Sequence, residues 1–225
     1  MIRFIANFVS YLFHPFIIPA LGLFLLFALP TRPVSMRLID ALYTFPPEWK
    51  KPLLLVLSIL TFVAPAVSLL IMYWNRLITS IKMENRKERI YPFILVTFYY
   101  VLAYFYVRAQ IPDNAKHPAL LSFLFGILVV FVIAFIINFY VKISLHATAI
   151  FGLCGMLLAY NQTQLPFELG GGFPNLNIIL GLFVIGGMVT AARVYLRAHD
   201  LKETLIGMAL GFSILFVTVK YSLYL

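Results

Sequence analysis

Three short clusters of charged and polar residues stand out in a chain that is otherwise apolar. Lysine and arginine side chains hold phosphate oxygens, and a histidine can attack phosphorus or carry a proton. Residues of these types together predict a site for a phosphate group whose chemistry needs no metal ion. The members of the three clusters that could do this chemistry are Lys82 and Arg89, then Lys142, Ser144 and His146, and then Arg193, His199 and Glu203.

The spacing in the first cluster is typical of one helical face. Lys82, Arg86 and Arg89 would stand at positions i, i+4 and i+7 of a helix. Glu84 and Glu88 would form a second stripe that pairs with these cations. The alternative is a solvated helix beside the membrane that contacts lipid headgroups.

The other two clusters carry the histidines. Lys142 and His146 are i, i+4 neighbours at the start of an apolar segment. Polar side chains cost free energy there unless they have hydrogen-bond partners or serve a function. His199 and Glu203 have the same spacing, so the carboxylate can hold one imidazole nitrogen and leave the other free. A snorkelling lysine with a satisfied histidine, and an ion pair at a helix end, are the structural alternatives.

The composition says what kind of scaffold positions these groups. The chain has 225 residues, 63% of them hydrophobic and 11% charged, against about 25% charged residues in an ordinary soluble domain. This excludes a soluble enzyme, a disordered protein and a secreted disulfide scaffold, and it predicts an integral membrane protein. The net charge of +9 fits positive loops, headgroup contacts or an anionic substrate, and not a nucleic-acid partner.

The hydrophobic pattern predicts an all-α, polytopic transmembrane bundle of about six or seven spanning helices, in one membrane domain over 1–225. Pro15 and Pro19 are expected to kink the first helix, and Pro65 the second. Two spans separate each cluster from the next, so all three clusters are expected at one end of the bundle. The seven segments are 4–29, 52–74, 90–108, 119–141, 143–160, 176–192 and 204–224.

The three clusters resemble the signatures of the type 2 phosphatidic acid phosphatase (PAP2) superfamily, over roughly residues 82–203. Lys82 and Arg89 have the spacing of its K-x6-R-P signature. Ser144 and His146 stand where P-S-G-H would stand. The segment from Arg193 through His199 to Glu203 follows S-R-x5-H-x3-D, with Glu in place of Asp.

The resemblance implies a role for each matched residue. His199 would be the nucleophile that forms a phosphohistidine, His146 would protonate the leaving oxygen, and Glu203 would orient His199. Lys142 joins the phosphate-binding group by its placement alone. The residues that the resemblance assigns to the phosphoryl oxygens are Lys82, Arg89, Ser144 and Arg193.

The expected function is hydrolysis of a phosphomonoester or pyrophosphate on a membrane lipid, without metal or other cofactor. Polyprenyl phosphate, phosphatidate and phosphatidylglycerophosphate are the substrate types considered. The protein is expected in the bacterial cytoplasmic membrane, with lipids as its partners. Counting positive loops places the site in the cytoplasm, whereas the resemblance suggests the outer face.

Two other functions are compatible with the sequence. Leu145 and Ala192 replace the Gly and Ser of the family signatures, and Glu203 replaces the Asp. These differences motivate a lipid-phosphate binding or transport protein that has lost catalysis. The other alternative is a metallohydrolase with His146, His199 and Glu203 as ligands, although the neighbouring cations would repel a divalent metal.

Overall fold

The computed structural model describes residues 1–33, 42–80, 86–111, 116–166 and 175–225. A two-stranded antiparallel pair, β1 (Thr31–Pro33) and β2 (Gln164–Pro166), joins the ends of two helices. The predicted all-α bundle is confirmed. The α-helices of the described part are α1 (Ile2–Leu12), α2 (Ile17–Ala28), α3 (Pro47–Ser58), α4 (Ala64–Trp74), α5 (Ile90–Gln110), α6 (Pro118–Asn138), α7 (Leu145–Thr163), α8 (Leu176–Tyr195) and α9 (Leu201–Lys220).

The first apolar segment is broken rather than continuous. Helices α1 and α2 are bent by 60° across residues 13–16. Pro15 explains the break, because proline lacks an amide hydrogen and its ring clashes with the carbonyl four residues earlier. Pro19 lies in the first turn of α2, where an amide has no partner within the helix, so it is tolerated there. The kink is confirmed, and Pro15 causes it.

Pro65 acts differently from Pro15. Helices α3 and α4 form one long helix, Pro47–Trp74, that passes through a π-helical turn at Ile59–Val63. Pro65 cannot donate a hydrogen bond to the Thr61 carbonyl, four residues earlier. The Tyr100 hydroxyl of α5 donates to that carbonyl instead, at 3.3 Å. The proline therefore leaves a carbonyl that another helix satisfies, and the span is not broken.

The described residues contain fewer candidate spans than the seven segments expected from the sequence. Within the described residues, five helices are long and apolar enough to cross a membrane, or six if the bent α1–α2 pair is one span. The segment predicted at 143–160 is present as α7 but is not among them. Most of α7 is buried inside the bundle, so its polar residues face other helices rather than lipid. The five are Pro47–Trp74, α5, α6, α8 and α9.

Helices α7 and α9 pack most closely, and they carry the second and third clusters. Gly207 and Gly211 of α9 face Thr148 of α7. A Cβ atom on Gly211 would lie 2.0 Å from the Thr148 carbonyl oxygen. Small residues spaced in this way let two helix backbones approach closely within a membrane. The two glycines therefore set the distance between the helices that build the site.

Candidate active site

A tight turn between α8 and α9 places His199 next to the other helices of the bundle. Arg197 has a φ of 53°, the left-handed conformation that ends many helices. The amides of Ala198 and His199 both donate to the Arg193 carbonyl, at 3.1 and 3.4 Å. The chain thus reverses within a few residues and places His199 immediately before α9.

A capping box at the start of α9 positions the carboxylate. The Glu203 amide donates to the Asp200 carboxylate at 2.7 Å, and the Asp200 amide donates to Glu203 Oε2 at 3.4 Å. The same Glu203 oxygen accepts a hydrogen bond from His199 Nδ1 at 2.7 Å. Sequence reasoning missed the role of Asp200, although Asp-x-x-Glu before an apolar run is a recognisable helix start.

His199 is held in its neutral form. The residue is only 7% exposed. Burial, followed by the positive charges of Arg89, Lys142 and Arg193, lowers its pKa to about 3, although a hydrogen bond with the Lys142 backbone opposes this. A carboxylate can only accept, so Nδ1 carries the proton that Glu203 binds. Nε2 is then the ring nitrogen that a nucleophilic role would use.

The three clusters meet at one end of the bundle, where hydrogen bonds join them. Arg89 is 6% exposed, and its guanidinium donates to the Ile143 carbonyl at 3.2 Å. Lys142 Nζ donates to the Ala198 carbonyl at 3.0 Å. The Ser144 amide donates to the Glu203 carbonyl at 3.4 Å. Each of these bonds links two of the clusters.

Two of the side-chain atoms expected to bind phosphate have no hydrogen-bond partner among the residues that the structure describes. Ser144 is fully buried, and its Oγ is unpaired; Arg193 Nε is also buried and unpaired. Arg193 acts electrostatically on His146, His199 and Arg89. Burial, with repulsion from Arg193, lowers the pKa of Arg89, and Glu203 opposes the shift. A buried polar group without a partner is costly, and an acceptor oxygen of an anion is one group that can satisfy such a donor.

His146 contacts the break between α1 and α2. Its Nε2 donates to the Ser10 carbonyl at 3.1 Å, and its ring lies 5.4 Å from the ring of His14. His146 and His199 are near enough to interact electrostatically. Sequence reasoning missed Ser10 and His14, although His14 directly precedes the proline that was expected to kink the helix.

The first cluster is described only in part. Lys82 and Glu84 lie outside the described residues. Arg86–Arg89 forms a single 3₁₀ turn. Glu88 accepts from the Thr79 amide at 3.0 Å and from its hydroxyl at 2.9 Å, so its carboxylate fastens the preceding loop. Arg89 is the residue of this cluster that the structure brings into the site.

Part of the chain that forms this site matches a known protein family. Residues 137–225 match the model of the PAP2 superfamily. The match agrees with the resemblance that the sequence predicts and covers about two fifths of the chain. The PAP2 match contains the second and third clusters, and Arg89 joins them from outside it. No curated protein and no solved structure matches the chain.

The PAP2 match favours phosphatase-type chemistry on a phosphate ester. Superfamily members are generally phosphatases that act on phosphate esters. In the described part of the chain, no three His, Cys, Asp or Glu side chains are grouped as metal ligands. Of the alternative set of metal ligands, His199 and Glu203 bond to each other, whereas His146 bonds to Ser10.

Proposed function

We propose that this protein is a membrane lipid phosphatase that cleaves a phosphomonoester or pyrophosphate through a phosphohistidine. The observation that carries the proposal is the pair of buried, unpartnered donors, Ser144 Oγ and Arg193 Nε, beside a neutral histidine held by Glu203. These donors match the oxygens of a phosphoryl group. The PAP2 match over the same residues supports the same chemistry.

The residues suggest a two-step reaction. In the first step His199 Nε2 attacks phosphorus, the bond to the leaving oxygen breaks, and His146 in its protonated form gives that oxygen the proton on Nδ1, keeping the Nε2 proton that the Ser10 carbonyl accepts. In the second step water attacks the phosphohistidine, His146 takes a proton from the water, and phosphate leaves. Glu203 keeps the proton on Nδ1 of His199 and stabilises the ring as it becomes positive. The cations of Arg89 and Arg193 stabilise the charge on the phosphoryl oxygens in both steps.

An apolar cavity next to the site supports a lipid as substrate. It lies between α2, α6 and α7, and Leu145 belongs to its wall together with Pro15, Phe16 and Phe131. Leu145, which replaces the glycine of the family signature, also packs on an apolar cluster with Phe93. Its side chain therefore contributes to an apolar wall beside His146, where a hydrocarbon chain would lie while its phosphate reaches His199.

The test is phosphate release from a panel of lipid phosphates by the purified protein in detergent. We expect release that survives chelation of divalent metals and that His199→Ala lowers at least about 10³-fold, since it removes the attacking atom. The matched control is His117→Ala, a buried histidine at the opposite end of α6, which should keep the parent rate. A rapid-quench experiment should also trap a phosphoprotein that is labile in acid and stable in base.

The same panel separates an enzyme from a carrier. A lipid-phosphate binding or transport protein would bind these lipids and release no phosphate. Phosphate release at equal rates by the parent and His199→Ala would disprove the proposed mechanism. Loss of activity on chelation would instead support a metal-dependent reaction.

A further inference from the structure

A third histidine lies beside the proton donor of the proposed reaction. The rings of His14 and His146 meet edge to face, with centroids 5.4 Å apart and planes at 79°. His14 belongs to the break between α1 and α2, far in sequence from the PAP2 match. None of the three sequence clusters includes it.

The same break holds a nitrogen of His146. Ser10 is in the last turn of α1, where backbone carbonyls lack an amide partner within the helix. Its carbonyl accepts a hydrogen bond from His146 Nε2 at 3.1 Å. Since a carbonyl only accepts, Nε2 carries a proton, and the proton that the ring can give to a leaving oxygen is a second one, on Nδ1. The His146 ring therefore contacts His14, and its Nε2 bonds to Ser10, so both contacts come from the region where α1 ends and α2 begins.

His14 is itself held in place. The Phe16 amide donates to His14 Nδ1 at 3.5 Å, and the two rings lie 5.1 Å apart. Nδ1 accepts, so the neutral His14 ring has its proton on Nε2. Arg193 acts electrostatically on both His14 and His146. A polar side chain in an apolar segment is costly unless it is used, and here it packs against the proton donor.

We propose that His14 is a positioning residue, which holds the His146 ring in the orientation that delivers its proton to the leaving oxygen. This rests on the proposed phosphatase function and adds to it a residue from the α1–α2 break. The proton passes from His146 to the oxygen whose bond to phosphorus breaks. His14 neither gains nor loses a proton in this step.

The test compares two leaving groups in the purified full-length protein. An alkoxide leaving from an alkyl phosphate needs a proton, whereas nitrophenolate leaving from nitrophenyl phosphate does not. We expect His14→Ala to slow formation of the phosphoprotein, measured by rapid quench, at least about tenfold for the alkyl phosphate and to leave that rate within about twofold for nitrophenyl phosphate. His146→Ala should show the same pattern, and adding His14→Ala to it should lower the rate no further.

Folding of each variant is checked first. Activity on nitrophenyl phosphate shows that a variant is folded, and if His14→Ala does not fold, His14→Gln is measured in the same way. Equal losses with both substrates, no loss, or additive losses in the double variant would overturn the role of His14. His117→Ala should match the parent on both substrates. A parent that hydrolyses neither substrate disproves the proposed function, whereas an active parent with an inactive His199→Ala variant and a fully active His14→Ala variant disproves only this inference.

Discussion

The substitution Gly211→Ala tests whether the close packing of α7 and α9 builds the site. The new Cβ would lie 2.0 Å from the Thr148 carbonyl oxygen, and real Cβ atoms essentially never come within 3.0 Å of such an atom. The difference means that the two backbones must separate by about 1 Å. Overpacking of this kind costs about 1–3 kcal/mol, because neither contacting atom is the flexible end of a side chain.

The separation should also disturb the chemistry. The hydrogen bond from the Ser144 amide to the Glu203 carbonyl is already 3.4 Å long and joins the same two helices. A misplacement of about 1 Å can lower a catalytic rate about 10²-fold. We therefore expect Gly211→Ala to lower both the denaturation midpoint in detergent and the rate of phosphate release.

The matched control is Gly181→Ala in α8. A Cβ on Gly181 would meet no atom within 4 Å, and replacing a helical glycine by alanine adds about 0.5–1 kcal/mol of stability. Its midpoint should be equal to or above that of the parent, with the parent's rate. If Gly211→Ala had the same midpoint and rate as Gly181→Ala, the packing argument would be refuted.

Three further predictions concern single contacts. Glu203→Gln removes the charge that holds Nδ1–H of His199, so kcat should fall about 10²–10⁴-fold in the phosphate-release assay, and a parent-like rate would contradict this orienting role. The pKa of His199 is about 3 in the folded protein against 6.5 when free, so acid favours the unfolded state, and about 2 kcal/mol should be lost between pH 7.5 and 5. Denaturation midpoints across this range should show a loss that is about 2 kcal/mol larger in the parent than in His199→Gln, since the remaining histidines contribute to both proteins. Tyr100→Phe leaves the Thr61 carbonyl without its hydroxyl donor, so the midpoint should show a loss of about 1–3 kcal/mol while the rate of phosphate release is unchanged.

The convergence of the three clusters could be predicted because it follows from the number of helices between them. Arg89 precedes α5, and Lys142 follows α6, so the chain crosses and returns between them. The same reasoning brings Arg193 and His199 back after α7 and α8. An i, i+4 spacing also sufficed to place the Glu203 carboxylate on the His199 ring, because that contact is local.

Contacts over long sequence distances could not be predicted in this way. The contact between His146 and Ser10 joins residues 136 positions apart, and it needs the exact direction in which the chain leaves α1. Hydropathy also counts apolar residues without showing which neighbours they meet. It therefore gives no sign that α7, unlike α8, is mostly buried among other helices.

The short strand pair has a consequence for how small the functional unit can be. β1 follows α2, and β2 follows α7, and Thr31 and Tyr160 join their side-chain hydroxyls at 2.9 Å near this pairing. A fragment limited to the family match would keep Gln164–Pro166 with no partner strand and would leave His146 without the Ser10 carbonyl. The backbone groups of Gln164–Pro166 that pair with β1 would then lose their hydrogen-bond partners, which costs free energy wherever these groups are buried. We expect such a fragment to be poorly folded, so the amino-terminal helices belong to the smallest autonomous unit even though the family signature lies elsewhere.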